Sequence, residues 1–198
     1  LLKLSKNQGK GAAMLEGFYK ASSEGFTHAI AFDSDGQHNA ADIPKMIAAC
    51  NINPDAMILG IPIFGADAPS ERVNGRRIGN WFTQLETLWG GVYDSLFGFR
   101  LYPIAPSIAV MESISSGRRF DFETQLAVRL YWQGVPPLSF PSKVTYPPQT
   151  DGGITQFKYL RDNWLLVRTH IHLCFLAILM LPRLLVFRSQ RTPPPSTP

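Results

Sequence analysis

The stretch Thr27-His28-Ala29-Ile30-Ala31-Phe32-Asp33-Ser34-Asp35-Gly36-Gln37-His38 decides how this chain is read. Its first six residues form a short, mainly apolar run without polar alternation, which suits a strand buried on both faces of a parallel sheet. The run ends abruptly in two carboxylates. Residues i and i+2 at a strand end project to the same side, and ligands of open α/β sheets bind beyond the carboxyl ends of strands. Asp33 and Asp35 placed there make a hard oxygen site for Mg²⁺ or Mn²⁺, ions that complete their coordination with water and substrate phosphates. Gln37 supplies a further oxygen, and Gly36 lets the backbone turn.

Other readings compete. Asp-Ser-Asp-Gly also punctuates ordinary turns. An EF-hand loop is excluded, because counting from Asp33 puts Gly36 at position 4 and Pro44 at position 12, where Gly at 6 and Glu at 12 are needed. A phosphatase of the haloacid dehalogenase type opens with the same pattern, with Asp33 as nucleophile and Asp35 as general acid. Its second acidic cluster, built around Gly-Asp, has no counterpart, since no Gly-Asp dipeptide occurs in the chain. It stays as the runner-up.

Working outward, Ala13, Met14, Gly17, Phe18 and Ala21 recur at helical spacing over Lys10 to Glu24, and Gly25 stops that helix. Asp42 is placed to cap a helix over Ile43 to Cys50, with Pro44 in its first turn. Ala56 to Ile61 reads as a second buried strand. This alternation predicts an α/β fold with a mostly parallel sheet. Phe64 to Asn74 reads as loop. A helix from about Arg76 carries Ile78, Trp81, Phe82, Leu85, Leu88 and Trp89 on one side and ends at Gly90-Gly91. Another runs from Phe122 to Gln133, capped by Asp121 and stopped by Gly134. Val135 to Phe140 and Lys143 to Tyr146 read as short strands made edge-like by prolines.

From Trp164 to Phe187 the chain turns apolar, with nine uninterrupted apolar residues from Leu173 to Leu181. Arg168, His170, His172 and Arg183 punctuate it, and a spanning helix needs about 20 apolar residues. The expectation is an interfacial or re-entrant helix on a membrane, with packing on a partner as the alternative. The layout is thus one domain over residues 1–163, an apolar helix over 164–187 and a compositionally disordered tail over 188–198.

Composition narrows the function classes. The chain has 198 residues, 45% of them hydrophobic and 17% charged, with a formal charge of +4. Its basic residues gather at Arg72, Arg76 and Arg77 and between Lys158 and Arg191, not in the dense stripe with exposed aromatics that nucleic acid requires. Nucleic acid is therefore not expected, while phosphate groups or a membrane surface are. Cys50 and Cys174 lack metal-ligand spacing and read as reduced. Leu1 to Lys6 reads like the interior of a longer sequence.

With these residues in place, the chain resembles the family 2 glycosyltransferases of GT-A fold, in particular their dolichol-phosphate mannosyltransferase-like branch. The similarity spans about Asn7 to Asn163. Asn7-Gln8-Gly9-Lys10-Gly11 resembles the family's Gly-Lys-Gly helix entry, and Asp33 to His38 its D-x-D-x-Q-H metal motif. Arg72, Arg76 and Asn80 resemble its arginine-bearing loop and following helix. Asp94 with Gly98-Phe99-Arg100-Leu101-Tyr102 resembles its D-x-x-x-G-F-R-x-Y segment, and Phe120-Asp121-Phe122-Glu123 its acidic helix start.

The resemblance implies inverting transfer of a sugar from a nucleoside-diphosphate donor to a lipid-linked or other envelope-related acceptor at the cytoplasmic face of a membrane, with Asp33, Asp35 and Gln37 on the metal. A departing diphosphate gathers negative charge that a dication and guanidiniums stabilise, and Lys10, Arg76 and Arg100 are the candidates. Glu123 is the candidate base for an acceptor hydroxyl. With a lipid phosphate acceptor no base is needed, and Glu123 would orient an arginine or the sugar. Asp94 carries the same two roles. His38 is placed either at the sugar or phosphate or in a structural position.

Two departures stand out. The family's opening strand and Pro-x-Tyr/Phe-Asn turn do not precede Asn7, so an N-terminal β-α-β part is expected to be missing. Pro147 to Gly153 replaces a segment common in the mannosyltransferases, pointing to another lipid-linked acceptor. A catalytically inactive, membrane-associated scaffold is the non-enzymatic alternative.

Overall fold

The computed structural model describes residues 2–65, 70–114, 121–145 and 159–189. The segment 146–158, the tail from Gln190, Phe120 and the side chain of Arg72 lie outside the described residues, and with them the expectations placed there. Helix α1 spans Lys10–Ser23. It closes as the sequence predicts, with Gly25 in the left-handed region (φ 84°) and Phe26 N donating to Ala21 O at 3.0 Å. Strand β1 is His28–Ala31, a short 3₁₀ turn covers Ala40–Asp42, and α2 follows at Ile43–Ile52. Asp42 makes no capping bond to α2. It accepts instead from Lys45, Asn39 and Ser142, while Asn39 caps the 3₁₀ turn.

Strand β2 is Met57–Ile63 and α3 is Ser70–Glu86. Helix α3 stops before the Gly90-Gly91 pair named above, because Leu88 and Trp89 themselves enter the left-handed region (φ 49° and 57°). The bond from Trp89 N to Gln84 O, at 2.7 Å, holds that unfavourable turn. Then come β3 (Arg100–Pro103), α4 (Ile104–Ser113), α5 (Asp121–Trp132) and β4 (Pro137–Lys143). The two proline-broken strands expected after Gly134 are thus one strand plus an isolated bridge between His38 and Val144.

The sheet is mixed, with order β1-β3-β2-β4. β3 runs antiparallel to both β1 and β2, and only β2 and β4 pair in parallel. The expectation of a mostly parallel sheet is corrected here: β1, β2 and β4 do share one direction, but β3 inserts against it between β1 and β2. β1 is also corrected. Among the described residues it pairs with β3 alone, so its four residues are half-buried rather than enclosed on both faces.

Strand alternation sorts the core into two clusters. Met57 and Leu59 of β2 and Tyr102 of β3 join α1, α4, α5 and α6 in the larger cluster. Ile58 and Leu101 face the other way, with Met46 and Cys50 of α2 and with Phe97 and Phe99. Helix α5 lies inside the larger cluster and is buried at every position except Arg129. Burying Leu126, Leu130 and Tyr131 there contributes about 1.5–3 kcal/mol for each large apolar side chain, and this burial fixes where the first turn of α5 points.

The apolar C-terminal stretch forms two helices, α6 (Tyr159–Leu179) and α7 (Leu181–Ser189), instead of one. No helix of the described residues is long and apolar enough to cross a membrane. Helix α6 packs through Thr169, His170, Leu173 and Ala177, and exposes Trp164, Val167, Ile171, Phe175 and Ile178.

Candidate active site

Four element ends meet at Asp33. Asp33 follows the carboxyl end of β1, Lys10 opens α1, Glu123 lies in the first turn of α5, and Gly98 precedes β3. Lys10 Nζ stands 2.5 Å from Asp33 Oδ1 and 2.7 Å from Glu123 Oε1. His38 Nε2 stands 3.5 Å from Asp33 Oδ2. Its ring stacks on Phe97 at 4.7 Å between centroids and packs edge-on against Phe99. Of the two readings of His38, these contacts belong to the structural one.

Burial alone would push the Asp33 carboxyl up, but the His38 and Lys10 contacts outweigh it and hold the group at about 2. Burial likewise opposes the Lys10 charge, and Glu123 and Asp33 overcome it, so the ammonium titrates above its ordinary value. Lys10 is a fixed cation between two carboxylates. Glu123 Oε1, buried in the first turn of α5, takes its charge partner from Lys10.

Gly98 completes the cradle. A Cβ there would overlap Asp33 Oδ2 and come within 3.0 Å of both Asp33 Cγ and Lys10 Nζ. This close approach, not a special φ, is what requires glycine. Nothing in local sequence marked Gly98 beyond its place in the Gly-Phe-Arg-x-Tyr run.

Asp35 differs from Asp33. β1 ends at Ala31, the chain bends over Ser34 to Gly36, and Gly36 takes φ 77°. The i, i+2 argument holds within a strand, and both Asp33 and Asp35 lie past its end. Asp35 is exposed, and its Oδ1 accepts from Gln37 N at 3.0 Å. The donor set nevertheless suits a hard dication: two carboxylates and an amide oxygen on one short turn, with Asp33 held ionised. Among the described residues there is no cluster of three or more His, Cys, Asp and Glu side chains that would close a cage.

Asp94 and the two arginines form a second, connected group. Asp94 is buried and accepts from Arg76 Nη1 (2.7 Å), Asn80 Nδ2 (2.9 Å), Leu96 N (2.9 Å) and Phe97 N (2.8 Å). Its oxygens are committed to pinning α3 to the loop before β3. Arg100 is fully buried. Its Nε donates to Phe97 O, its Nη1 to Tyr102 Oη and Glu123 O, and its Nη2 to Asp94 O. Four of its five N–H donors go to protein acceptors, so Arg100 braces the floor of the site. Burial works against its charge, and Tyr102, Glu123 and Asp94 compensate, raising its already high pKa. A continuous line of polar contacts thus runs Arg76, Asp94, Arg100, Glu123, Lys10, Asp33, His38.

Residues 1–108 match the family described as Glycosyl transferase family 2. That match covers more than half of the chain, β1, β2 and β3 included, and the chain belongs to this family. It is therefore a glycosyltransferase, which takes a sugar from a nucleotide-sugar donor to an acceptor. The match replaces the phosphatase reading of Asp33. A comparison with curated proteins gives no match.

Proposed function

We propose that the chain is an inverting glycosyltransferase of the dolichol-phosphate mannosyltransferase-like branch, moving a sugar from a nucleoside diphosphate to a lipid-linked or other envelope-related acceptor. The observation that carries this is Asp33, held ionised beyond the end of β1 in contact with Lys10 and against Gly98. Asp33, Asp35 and Gln37 would hold Mg²⁺ or Mn²⁺. When bound, the metal supplies a Lewis acid for the departing diphosphate.

The chain's own residues then have separate tasks. Lys10, part-exposed at the head of α1, is the cation best placed for phosphate oxygens. Arg76, with its partner Asp94, fixes α3 beside the loop. Arg100 keeps Gly98 and the first turn of α5 in register. Glu123 accepts the proton of a neutral acceptor hydroxyl. With an anionic phosphate acceptor it only orients Lys10.

Helices α6 and α7 support attachment to the cytoplasmic face of a membrane. From Asn163 to the last residue there are four arginines and no carboxylate side chain. Trp164, Val167, Ile171, Phe175 and Ile178 stand exposed at the three- and four-residue steps of one helical face. A basic, tryptophan-bearing apolar face is what an anionic lipid surface recruits.

The test is transfer of labelled sugar from a panel of nucleotide sugars to polyprenyl phosphates in vesicles, with Mn²⁺ or with chelator. Transfer that disappears with chelator and in Asp35→Asn supports the reading. Undiminished transfer in Asp35→Asn refutes the metal assignment, and absence of donor binding by the native chain favours the scaffold.

A further inference from the structure

We propose that Lys10 is a resident cation that competes with the divalent metal for Asp33, and that it moves to Glu123 alone when the metal binds. The inference rests on the metal reading above and adds a regulator to that same site.

The geometry requires competition. A hard dication bound to Asp33 sits about 2.0–2.6 Å from a carboxylate oxygen, and Lys10 Nζ already stands 2.5 Å from Oδ1 of that carboxylate. Two cations at those distances repel strongly, the more so in a partly buried site where water screens poorly. On the Oδ2 side Asp33 is backed by Gly98, so it cannot retreat in that direction.

Lys10 can swing where Glu123 cannot. Its side chain is 30% exposed and rides on a flexible four-carbon stem at the first residue of α1, whereas the side chain of Glu123 is 6% exposed within α5. A destination already exists. Glu123 Oε1 already stands 2.7 Å from Nζ, so a small rotation of the ammonium keeps that contact as it gives up the one at Asp33. Metal arrival would thus convert a shared lysine into a dedicated Lys10–Glu123 pair, tying metal binding to the head of α5. Glu123 acts on the metal through Lys10 and is in this respect a positioning residue.

The experiment is a Mn²⁺ titration of the full chain, followed by the loss of the free-ion electron paramagnetic resonance signal, with no donor present. Native chain, Lys10→Met, Lys10→Arg, Glu123→Gln and the double variant Lys10→Met/Glu123→Gln are compared, each checked for folding by circular dichroism. Lys10→Met is expected to bind Mn²⁺ about fivefold more tightly or better, the lower end of ordinary couplings between sites. Lys10→Arg, which keeps the charge, is expected to stay near the native value. Glu123→Gln removes the destination and is expected to weaken binding, but to change little once Lys10 is already Met. Unchanged or weaker binding in Lys10→Met overturns the inference, as does a Glu123→Gln effect that simply adds in the double variant. Mn²⁺ binding by neither the native chain nor Lys10→Met overturns the metal reading itself, and this inference with it.

Discussion

The Cα of Gly98 lies directly against the carboxylate of Asp33, with the space a Cβ would need taken up by Asp33 Oδ2. Gly98→Ala is therefore expected to push Asp33 off its position, not to disturb the β3 backbone. Overpacking of this size costs about 1–3 kcal/mol. The expected outcome is a folded chain with Mn²⁺ affinity reduced severalfold, measured by titration alongside urea unfolding. Native affinity in Gly98→Ala would show that Asp33 has freedom the structure denies it.

Asp33 and Asp35 should separate in stability while agreeing in function. Asp33→Asn leaves Lys10 with Glu123 as its sole counter-charge in a partly buried site, so unfolding is expected at lower urea than for the native chain. Asp35 is exposed and holds one local turn bond, so Asp35→Asn should stay within about 0.5 kcal/mol of native stability. Both are expected to lose metal-dependent sugar transfer. Equal unfolding midpoints for the two variants would contradict the inward placement of Asp33.

Arg100→Met should behave as a folding defect. It strips the donor from four acceptors, Phe97 O, Tyr102 Oη, Glu123 O and Asp94 O. Leaving buried acceptors unpaired costs about 1–3 kcal/mol each, with partial relaxation, so a total loss of about 3–5 kcal/mol is expected. Urea unfolding of the variant checks this. Native stability together with lost donor binding would instead return Arg100 to the role of a diphosphate ligand.

A pH effect is expected away from the site. Glu86, fully buried on α3, has its carboxyl pushed up by burial, with His170 and Cys174 pulling it back only in part. A carboxyl whose folded pKa exceeds its unfolded value near 4.5 favours the folded state while protonated. That contribution is complete below the unfolded value and is lost as pH rises through the raised one. Glu86→Gln cannot titrate, so its unfolding midpoint should gain on the native chain as pH rises from about 4 to 7. Parallel midpoint curves for the two chains would rule out a raised Glu86.

Much of this was legible because it is local. An apolar run ending in Asp33, a helix stopped by Gly25 and another by Gly134 are each declared within a few neighbouring residues. What escaped is tertiary. β3 begins with a charged Arg100 and ends at Pro103, so it carries no strand pattern, and its insertion between β1 and β2 is visible only once paired. Helix α4 hid behind Pro106. Lys10 and Glu123 were each named for a separate task, and nothing in the sequence says they share one contact. Arg100 invites a ligand reading because it is a charged residue between Phe99 and Leu101, and the four protein acceptors that make it a brace become visible only in the fold.

Because β1 gains its only described sheet partner from Arg100–Pro103, and the turn after it is bridged through His38 and Gln37 to Val144 and Thr145, the Asp33–Asp35 turn has no backing until those later segments of chain have been made. A nascent or proteolytic fragment ending before residue 100 would carry both aspartates and yet leave them on an unanchored segment. The turn thus settles in stages as the chain lengthens, first against a strand running the opposite way and then against the Glu123 turn and the segment around Val144, and any cut that removes them undoes it.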